Sequence, residues 1–181
     1  MKLIVNKGKN MKNLLIIIFL MSLSQILNAQ VRDNLVTPLE YNQISFQVAT
    51  IQQLYDSKGD KDKIISYFGS PLSQKNGNFR LSLTYQNNLI VINTELKRIT
   101  RLEINDASWT IKIKGNIFKV GDSLSKFQQL FGSSLKVIVP PNNPNKKFIG
   151  FSYSNNDFDS ITIYLNPQTN KVKQILYFVI P

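Results

Sequence analysis

The chain has 181 residues, of which 43% are hydrophobic, and its 22 Lys and Arg against 11 Asp and Glu give a formal net charge of +11. It contains no His and no Cys, which excludes Ser-His and Cys-His nucleophile pairs, imidazole and thiolate metal sites, and disulfides. We therefore expect a protein that is stabilised by an apolar core, is not an enzyme and needs neither a metal nor another cofactor.

The first 29 residues have the pattern of an export signal. Four lysines precede an apolar run from Leu14 to Leu23, and a small or polar tail ends at Ala29. The run is too short to span a bilayer comfortably, which favours a cleaved signal over a retained anchor. We predict one globular domain over 30–181, periplasmic or extracellular, with no stable membrane insertion after cleavage. Removal of the four leader lysines leaves a net charge of +7.

Two short helices are predicted at the start of this domain. Thr37-Pro38-Leu39-Glu40 and Thr50-Ile51-Gln52-Gln53 each have the form of a capping box, in which a threonine and the side chain three residues later satisfy each other's backbone amides. Between them, Ile44, Phe46 and Val48 alternate with polar residues and favour a strand, although Ile44 and Val48 also fit one helical face.

A further helix and three strands complete the first half. Asp60 or Asp62 is placed to cap a helix that ends at Gly69. Apolar residues then alternate strictly with polar ones, which predicts a strand with one apolar and one wet face. The apolar members of that strand are Phe79, Leu81, Leu83 and Tyr85. A turn at Asn87-Asn88 and strands at 89–93 and 97–104 follow.

The second half is predicted to follow the same plan. Two strands at 109–114 and 117–120 precede a helix that Asp122 or Ser123 caps and Gly132 ends. A long loop and three strands follow, at 137–147, 148–154, 160–165 and 172–180. The last strand is apolar on both faces, so we expect it inside the sheet against the first half, buried on both sides or nearly so.

Short segments of the first half recur in the second. The recurring pairs are Lys63–Ser70 with Lys126–Ser133, Leu83–Asn88 with Phe151–Asn156, and Gly59-Asp60 with Gly121-Asp122. Such self-similarity indicates one supersecondary unit used twice. We predict an α+β fold of two tandem copies of a helix-plus-antiparallel-sheet unit, about 43–106 and 107–181, packed as one domain with the helices on one sheet face.

This order of elements resembles the tandem helix-and-sheet repeats of beta-lactamase inhibitor proteins. The small lipoprotein of the outer-membrane assembly machinery has a single, similar unit. The resemblance implies a concave sheet that docks another protein. The matching motif is the helix end Phe-Gly-Ser, at Phe68-Gly69-Ser70 and Phe131-Gly132-Ser133, so no contact residue of either group carries over. The chain also lacks the lipidated cysteine of the lipoprotein group.

Two motifs suggest chemistry, and each has a simpler structural explanation. Ser123-Leu124-Ser125-Lys126 matches the S-x-x-K pattern of a lysine-activated serine, but its companion motifs are absent and Ser123 suits a helix N-cap. Asn155, Asp157 and Asp159 alternate as in a calcium loop, but the glycine and closing Glu are missing, so we expect a polar hairpin. The sequence nominates no catalytic residue and no metal ligand.

The binding candidates are basic residues on predicted strands that could share a wet sheet face: Arg80, Arg98, Arg101, Lys112 and Lys114. Nucleic acid is disfavoured, because Phe79, Tyr85 and Trp109 are expected in the core rather than among these cations. We predict an exported, non-catalytic module that binds a protein or a cell-envelope component. The alternatives are a polyanion or anionic-lipid binding protein, from the +7 balance, and a hydrolase of unrecognised type built on Lys, Tyr or carboxylates.

Overall fold

The computed structural model describes residues 34–152 and 159–179. The predicted export signal lies outside these residues, as do Asn155 and Asp157 of the alternating acidic segment. The described residues belong to one compact unit and form four α-helices and twelve β-strands, arranged in two sheets. The predicted α+β class is confirmed.

The helices are α1 (Pro38–Gln43), α2 (Ile51–Asp56), α3 (Lys61–Phe68) and α4 (Leu124–Phe131). The strands of the first half are β1 (Asn34–Leu35), β2 (Ser45–Phe46), β3 (Ala49–Thr50), β4 (Ser73–Gly77), β5 (Arg80–Tyr85), β6 (Asn88–Asn93) and β7 (Arg98–Ile104). Those of the second half are β8 (Thr110–Ile113), β9 (Asn116–Lys119), β10 (Lys147–Ser152), β11 (Asp159–Leu165) and β12 (Val172–Val179).

The large sheet contains eight strands in the order β1-β10-β11-β12-β7-β6-β5-β4. Its neighbours are antiparallel except for β1, which is parallel to β10. The two halves meet where β12 pairs with β7, with Tyr177 opposite Leu102 and Ile175 opposite Ile104. The prediction that the last strand lies inside the sheet against the first half is therefore confirmed.

The small sheet has the order β3-β2-β8-β9, and its halves meet where β2 pairs with β8, with Phe46 opposite Ile111. In both sheets, corresponding strands of the two halves are adjacent at the centre and the remaining strands extend outward, except that β1 of the first half lies beside β10 of the second. This strand order is the one expected for two copies of one unit.

One face of the large sheet, here called the inner face, is apolar and buried. One cross-strand row on it consists of Leu83, Ile90, Leu102, Tyr177, Ile161 and Phe151, each at most 7% exposed. The alternation predicted from sequence places these side chains on one side, because successive residues of a strand point to opposite faces.

The helices and the small sheet pack on this inner face. Phe46 of β2 lies 5.5 Å from Tyr177, and Phe131 of α4 lies 5.3 Å from Phe151, between ring centroids. Trp109, which precedes β8, is 4.9 Å from the ring of Phe68 on α3 and 4.9 Å from that of the inner-face residue Tyr85. The prediction that the helices occupy one sheet face is confirmed.

The helix starts follow the capping signals read from the sequence. Both capping boxes form, at Thr37 with Glu40 and at Thr50 with Gln53. The Asp60 carboxylate caps α3 by accepting hydrogen bonds from the backbone amides of Asp62 and Lys63, each at 3.0 Å. Satisfying these amides stabilises helices that are too short to persist alone.

The structure differs from the sequence prediction at the start of β5. Phe79 was expected in the core, yet it is 62% exposed and lies with Asn78 in the two-residue turn between β4 and β5, with φ of 53°. The apolar alternation of β5 extends to Phe79, one residue before the strand begins. β4 itself carries no apolar alternation, so nothing in its local sequence indicates a strand.

Two other details differ from expectation. The turn after β5 falls at Gln86 and Asn87, one residue earlier than predicted, and Asn88 is a buried member of β6. Its side-chain amide donates to Asp106 and Ser108 at 3.2 Å, which satisfies the buried polar group. The last strand is also not buried on both sides, because Phe178 is 38% exposed.

Candidate functional site

The five basic residues predicted as binding candidates are divided between the two sheets, and one of them lies in a turn rather than on a strand. Arg80 is on β5, and Arg98 and Arg101 are on β7 of the large sheet. Lys112 is on β8 of the small sheet, and Lys114 lies in the turn between β8 and β9 with a φ of 47°. The expectation of one shared sheet face is therefore wrong. β8 pairs with β2 rather than extending the large sheet, and no local pattern specifies that choice.

The three arginines among these candidates differ in their surroundings. The Arg101 guanidinium forms an ion pair with Glu103, two residues along the same strand. Arg80 donates from Nε to the Ser82 hydroxyl at 3.3 Å and makes no ion pair within the described residues. Arg98 is half-buried. Burial of Asp159 raises the pKa of that carboxyl, and the positive charge of Arg98 opposes this effect. Within the part of the chain that the structure describes, Arg80 thus has no carboxylate partner for its surface charge.

The face of the large sheet opposite the inner face is here called the outer face. A cross-strand row on it contains Phe178, Arg101, Val91, Ser82 and Lys75, each directly adjacent in sequence to a residue that points inward. The aromatic contacts of the helices and of the small sheet involve the other face. Phe178, Arg101 and Lys75 of this row are exposed, whereas Ser82 is half-buried and Val91 is buried.

A depression of about 420 Å³ lies on the outer face, near the ends of the β4–β5 and β6–β7 hairpins. Phe79, Phe178 and Val91 supply its main apolar lining, and Arg80, Arg101 and Glu95 supply its charges. Val91 is 5% exposed, whereas both phenylalanines are well exposed, so Val91 forms the floor between them. We call this feature the outer-face depression.

A second depression, of about 610 Å³, lies on the small sheet. Lys112, Lys114 and Glu40 supply its charges, and polar side chains of β2, the following turn and the end of α1 supply most of the rest. Lys114 forms an ion pair with Glu40 at 3.1 Å. The pKa of Glu40 is lowered, first by the backbone amide of Thr37 and then by Lys114, so this carboxyl is ionised at neutral pH and unsuited to donate a proton.

The S-x-x-K motif does not form a serine–lysine pair. Lys126 donates to the Asp122 carboxylate at 2.8 Å and lies 5.3 Å from the ring centroid of Phe118. The Ser123 hydroxyl shares a 2.7 Å hydrogen bond with Ser125. Ser123 does occupy the N-cap position of α4, as predicted, but its side chain makes no capping hydrogen bond.

No group of three or more Asp and Glu side chains that could hold a metal ion occurs in 34–152 or 159–179. Asp159, the described member of the alternating acidic segment, begins β11. Burial raises its pKa.

Sequence reasoning missed both exposed phenylalanines of the outer-face depression. The pair Gly77-Asn78 is a hairpin-turn signal and could have indicated a turn next to Phe79, although the turn itself lies one residue later, at Asn78 and Phe79. Phe178 had no such signal, because it lies within a run of apolar residues from Ile175 to Ile180. Its face depends on the register between β12 and β7, which is a tertiary property.

Comparisons with known proteins assign no family. No family model and no curated protein matches the chain. One solved structure, an extracellular protein containing a SCP domain from Bacillus anthracis str. Ames, is similar at 10% sequence identity and a TM-score of 0.42. The match covers 67% of this chain and 43% of that one, so this chain spans less than half of that protein's length. Within 34–152 and 159–179, no helix has the length and apolar character needed to cross a bilayer.

Proposed function

We propose that this protein is an exported, non-catalytic interaction module that binds another protein or a cell-envelope component through the outer face of the large sheet. The observation that carries the proposal is the outer-face depression, in which Phe79 and Phe178 stand exposed beside Arg80 and Arg101. Aromatic residues and arginine supply much of the binding energy at protein interfaces, especially around a desolvated apolar centre. The leader pattern over the first 29 residues supports export.

Local charge pairing favours protein binding over polyanion binding. Several surface cations already have carboxylate partners: Lys61 with Asp62, Arg101 with Glu103, Lys114 with Glu40 and Lys126 with Asp122. A polyanion groove needs a continuous stripe of unpaired cations, and its affinity falls steeply with salt. We therefore expect binding by this protein to weaken less than tenfold between 50 and 200 mM salt, whereas polyanion binding with six or more phosphate contacts would lose about a thousandfold or more.

The polar depression on the small sheet offers little for a hydrolase. Glu40 is held ionised by Thr37 and Lys114, and Lys114 is itself engaged in that ion pair. A purified protein that turned over a substrate, and lost turnover when one Ser, Lys or carboxylate was changed, would overturn the non-catalytic assignment.

The experiment that tests the proposal is affinity capture from cell-envelope extracts with matched variants. Phe79→Ala and Phe178→Ala remove exposed rings from the depression, while Val48→Ala removes an exposed apolar side chain, 71% accessible, on the small sheet. A ring that acts as a hot spot contributes about 2 kcal/mol or more, which corresponds to roughly 30-fold in affinity. We expect a partner captured by wild type and Val48→Ala to be lost with both Phe variants. Equal capture by all four proteins would refute the proposal.

A further inference from the structure

Among the described residues, strand β4 is the last strand at one edge of the large sheet. It pairs with β5 on one side, and all five of its residues are exposed. Gly77 and Arg80 flank the two-residue turn and close the hairpin as a hydrogen-bonded pair. Hydrogen-bonded and non-hydrogen-bonded pairs alternate along an antiparallel ladder, so Gln74 and Asn76 direct their backbone N–H and C=O groups away from β5.

The opposite edge of the same sheet is occupied. There, β1 runs parallel to β10, and the Asn34 side chain donates to the carbonyls of Lys136 at 3.0 Å and Gly150 at 2.9 Å. The backbone groups beside β10 therefore have partners within the chain, whereas the outward groups of β4 do not have a strand beside them among the described residues.

Apolar side chains stand exposed at both ends of β4. Leu72, just before the strand, is 73% exposed and is the most exposed large hydrophobic residue that the structure describes, and Phe79, just after it, is 62% exposed. Leu72 borders a depression of about 170 Å³ that Tyr85 and Trp109 also line, while Phe79 borders the outer-face depression. Proteins usually protect sheet edges with charged residues, and Lys75 is the one charged residue of β4. The large apolar groups at both ends of the strand therefore indicate a surface that is covered in use.

The positive charge on β4 indicates which kind of partner covers this edge. Lys75 is at the centre of β4, on the outer face and in register with Ser82. A second copy pairing antiparallel about this centre would set Lys75 opposite its own equivalent, which is destabilising, and both copies carry the basic balance of the chain. An acidic residue opposite Lys75 instead forms a favourable cross-strand pair.

We propose that a partner protein adds an extended, acidic segment to β4 as a ninth strand, with a carboxylate opposite Lys75 and apolar side chains at its ends against Leu72 and Phe79. Five residues suffice to pair with β4 itself, and about eight reach from Leu72 to Phe79, because an extended chain rises about 3.3 Å per residue. This inference rests on the proposed function, since the segment belongs to the protein that docks on the outer face.

The probe is the capped pentapeptide Val-Thr-Glu-Thr-Val, titrated into the isotopically labelled protein and followed by backbone amide NMR. We expect the largest shifts at Gln74 and Asn76, and at least threefold weaker binding of the same peptide with Lys at its centre. Lys75→Glu should reverse that preference. Shifts that map away from β4, or no binding at millimolar peptide, would overturn the proposal.

The backbone contribution is tested with a matched pair of variants. Asn76→Pro removes an outward N–H that β5 does not use, and Asn76→Ala keeps it. We expect at least fivefold weaker peptide binding with the proline variant and less than twofold change with the alanine variant. An N-methylated peptide gives the same test without altering the protein, should the proline variant fail to fold. Unchanged affinity in both tests would overturn strand addition.

The same variants separate this inference from the proposed function. Partner capture that depends on Phe178 but survives Asn76→Pro would leave the outer-face module standing and remove strand addition. A dimer in size-exclusion chromatography that Asn76→Pro converts to a monomer would assign the edge to a second copy and overturn the acidic partner.

Discussion

Because β7 of the first half pairs with β12 of the second, we expect the two halves to unfold as one unit. A substitution at Ile163, which lies on neither of these strands, tests this expectation. Ile163 lies on the inner face of β11, opposite Ile149 and Ile175, and all three side chains are fully buried. β11 pairs with β10 and β12 and has no pairing with a first-half strand. Ile163→Ala therefore damages the second half directly and can affect the first half only through the shared sheet and core.

The expected cost follows from burial and from the rigidity of the site. Truncation of a buried isoleucine to alanine costs about 2–5 kcal/mol, and the loss is larger where neighbours cannot collapse into the cavity. The neighbours of Ile163 are held in register by two ladders, so we expect about 3–4 kcal/mol. Thr162→Ala, on the same strand but on the outer face, is the control and should cost less than about 1 kcal/mol.

The assay is urea unfolding followed by two probes. Far-UV circular dichroism reports on the whole domain, and fluorescence reports on Trp109, the single tryptophan, which packs on Phe68 and Tyr85 of the first half. With a slope of about 1–3 kcal/mol per molar urea, the midpoint should fall by roughly 1–4 M in both signals together. A tryptophan midpoint that stayed at the wild-type value while circular dichroism shifted would show that the halves unfold independently, and would refute the reasoning.

Three further predictions use the same unfolding measurement. Asn34→Ala leaves three backbone groups, one buried and two partly buried, without their side-chain partner and should cost about 1–3 kcal/mol. Faster amide hydrogen exchange along β1 is the expected signature, and unchanged exchange would contradict it. Gly59→Ala places a Cβ 2.9 Å from the Arg98 amide nitrogen at a φ of +67°, so it should cost about 1–3 kcal/mol more than Gly115→Ala, where φ is +80° and the space is open; equal costs would argue against the close approach. Burial raises the pKa of Asp159 in the folded state, so the contribution of this carboxyl to folding stability becomes less favourable as pH rises through its folded-state pKa. Asp159→Asn should therefore raise the urea midpoint at pH 7 but not at pH 3. A decrease at pH 7 would mean that the attraction to Arg98 prevails.

Local signals predicted most of the individual elements. Both capping boxes, the Asp60 cap and the glycine that ends each of the two longer helices occur where the sequence indicated them, because each depends on contacts within four residues. The recurrence of these signals in the second half also predicted the order of elements. β4 escaped prediction, since it has no apolar face and exists through its pairing with β5.

The candidate site was much less predictable than the elements that carry it. Arg80 and Arg101 were named from their positions on strands, and both line the outer-face depression. Lys112 and Lys114 were grouped with them, but Lys112 lies on the small sheet and Lys114 in the turn that follows its strand. Phe79 was assigned to the core and is exposed in a turn. In each case the outcome depended on which strands became neighbours.

The amino-acid sequence by itself determined the helices, most strands, the apolar character of the inner face and the absence of imidazole and thiol chemistry, because these follow from side-chain types and short-range periodicity. Tertiary structure alone decided that β12 pairs with β7, that β8 pairs with β2, and therefore which side chains of one row stand together on the outer face. Strand pairing joins residues far apart in the chain, and its register assigns every side chain to one face or the other, so no local pattern contains that information.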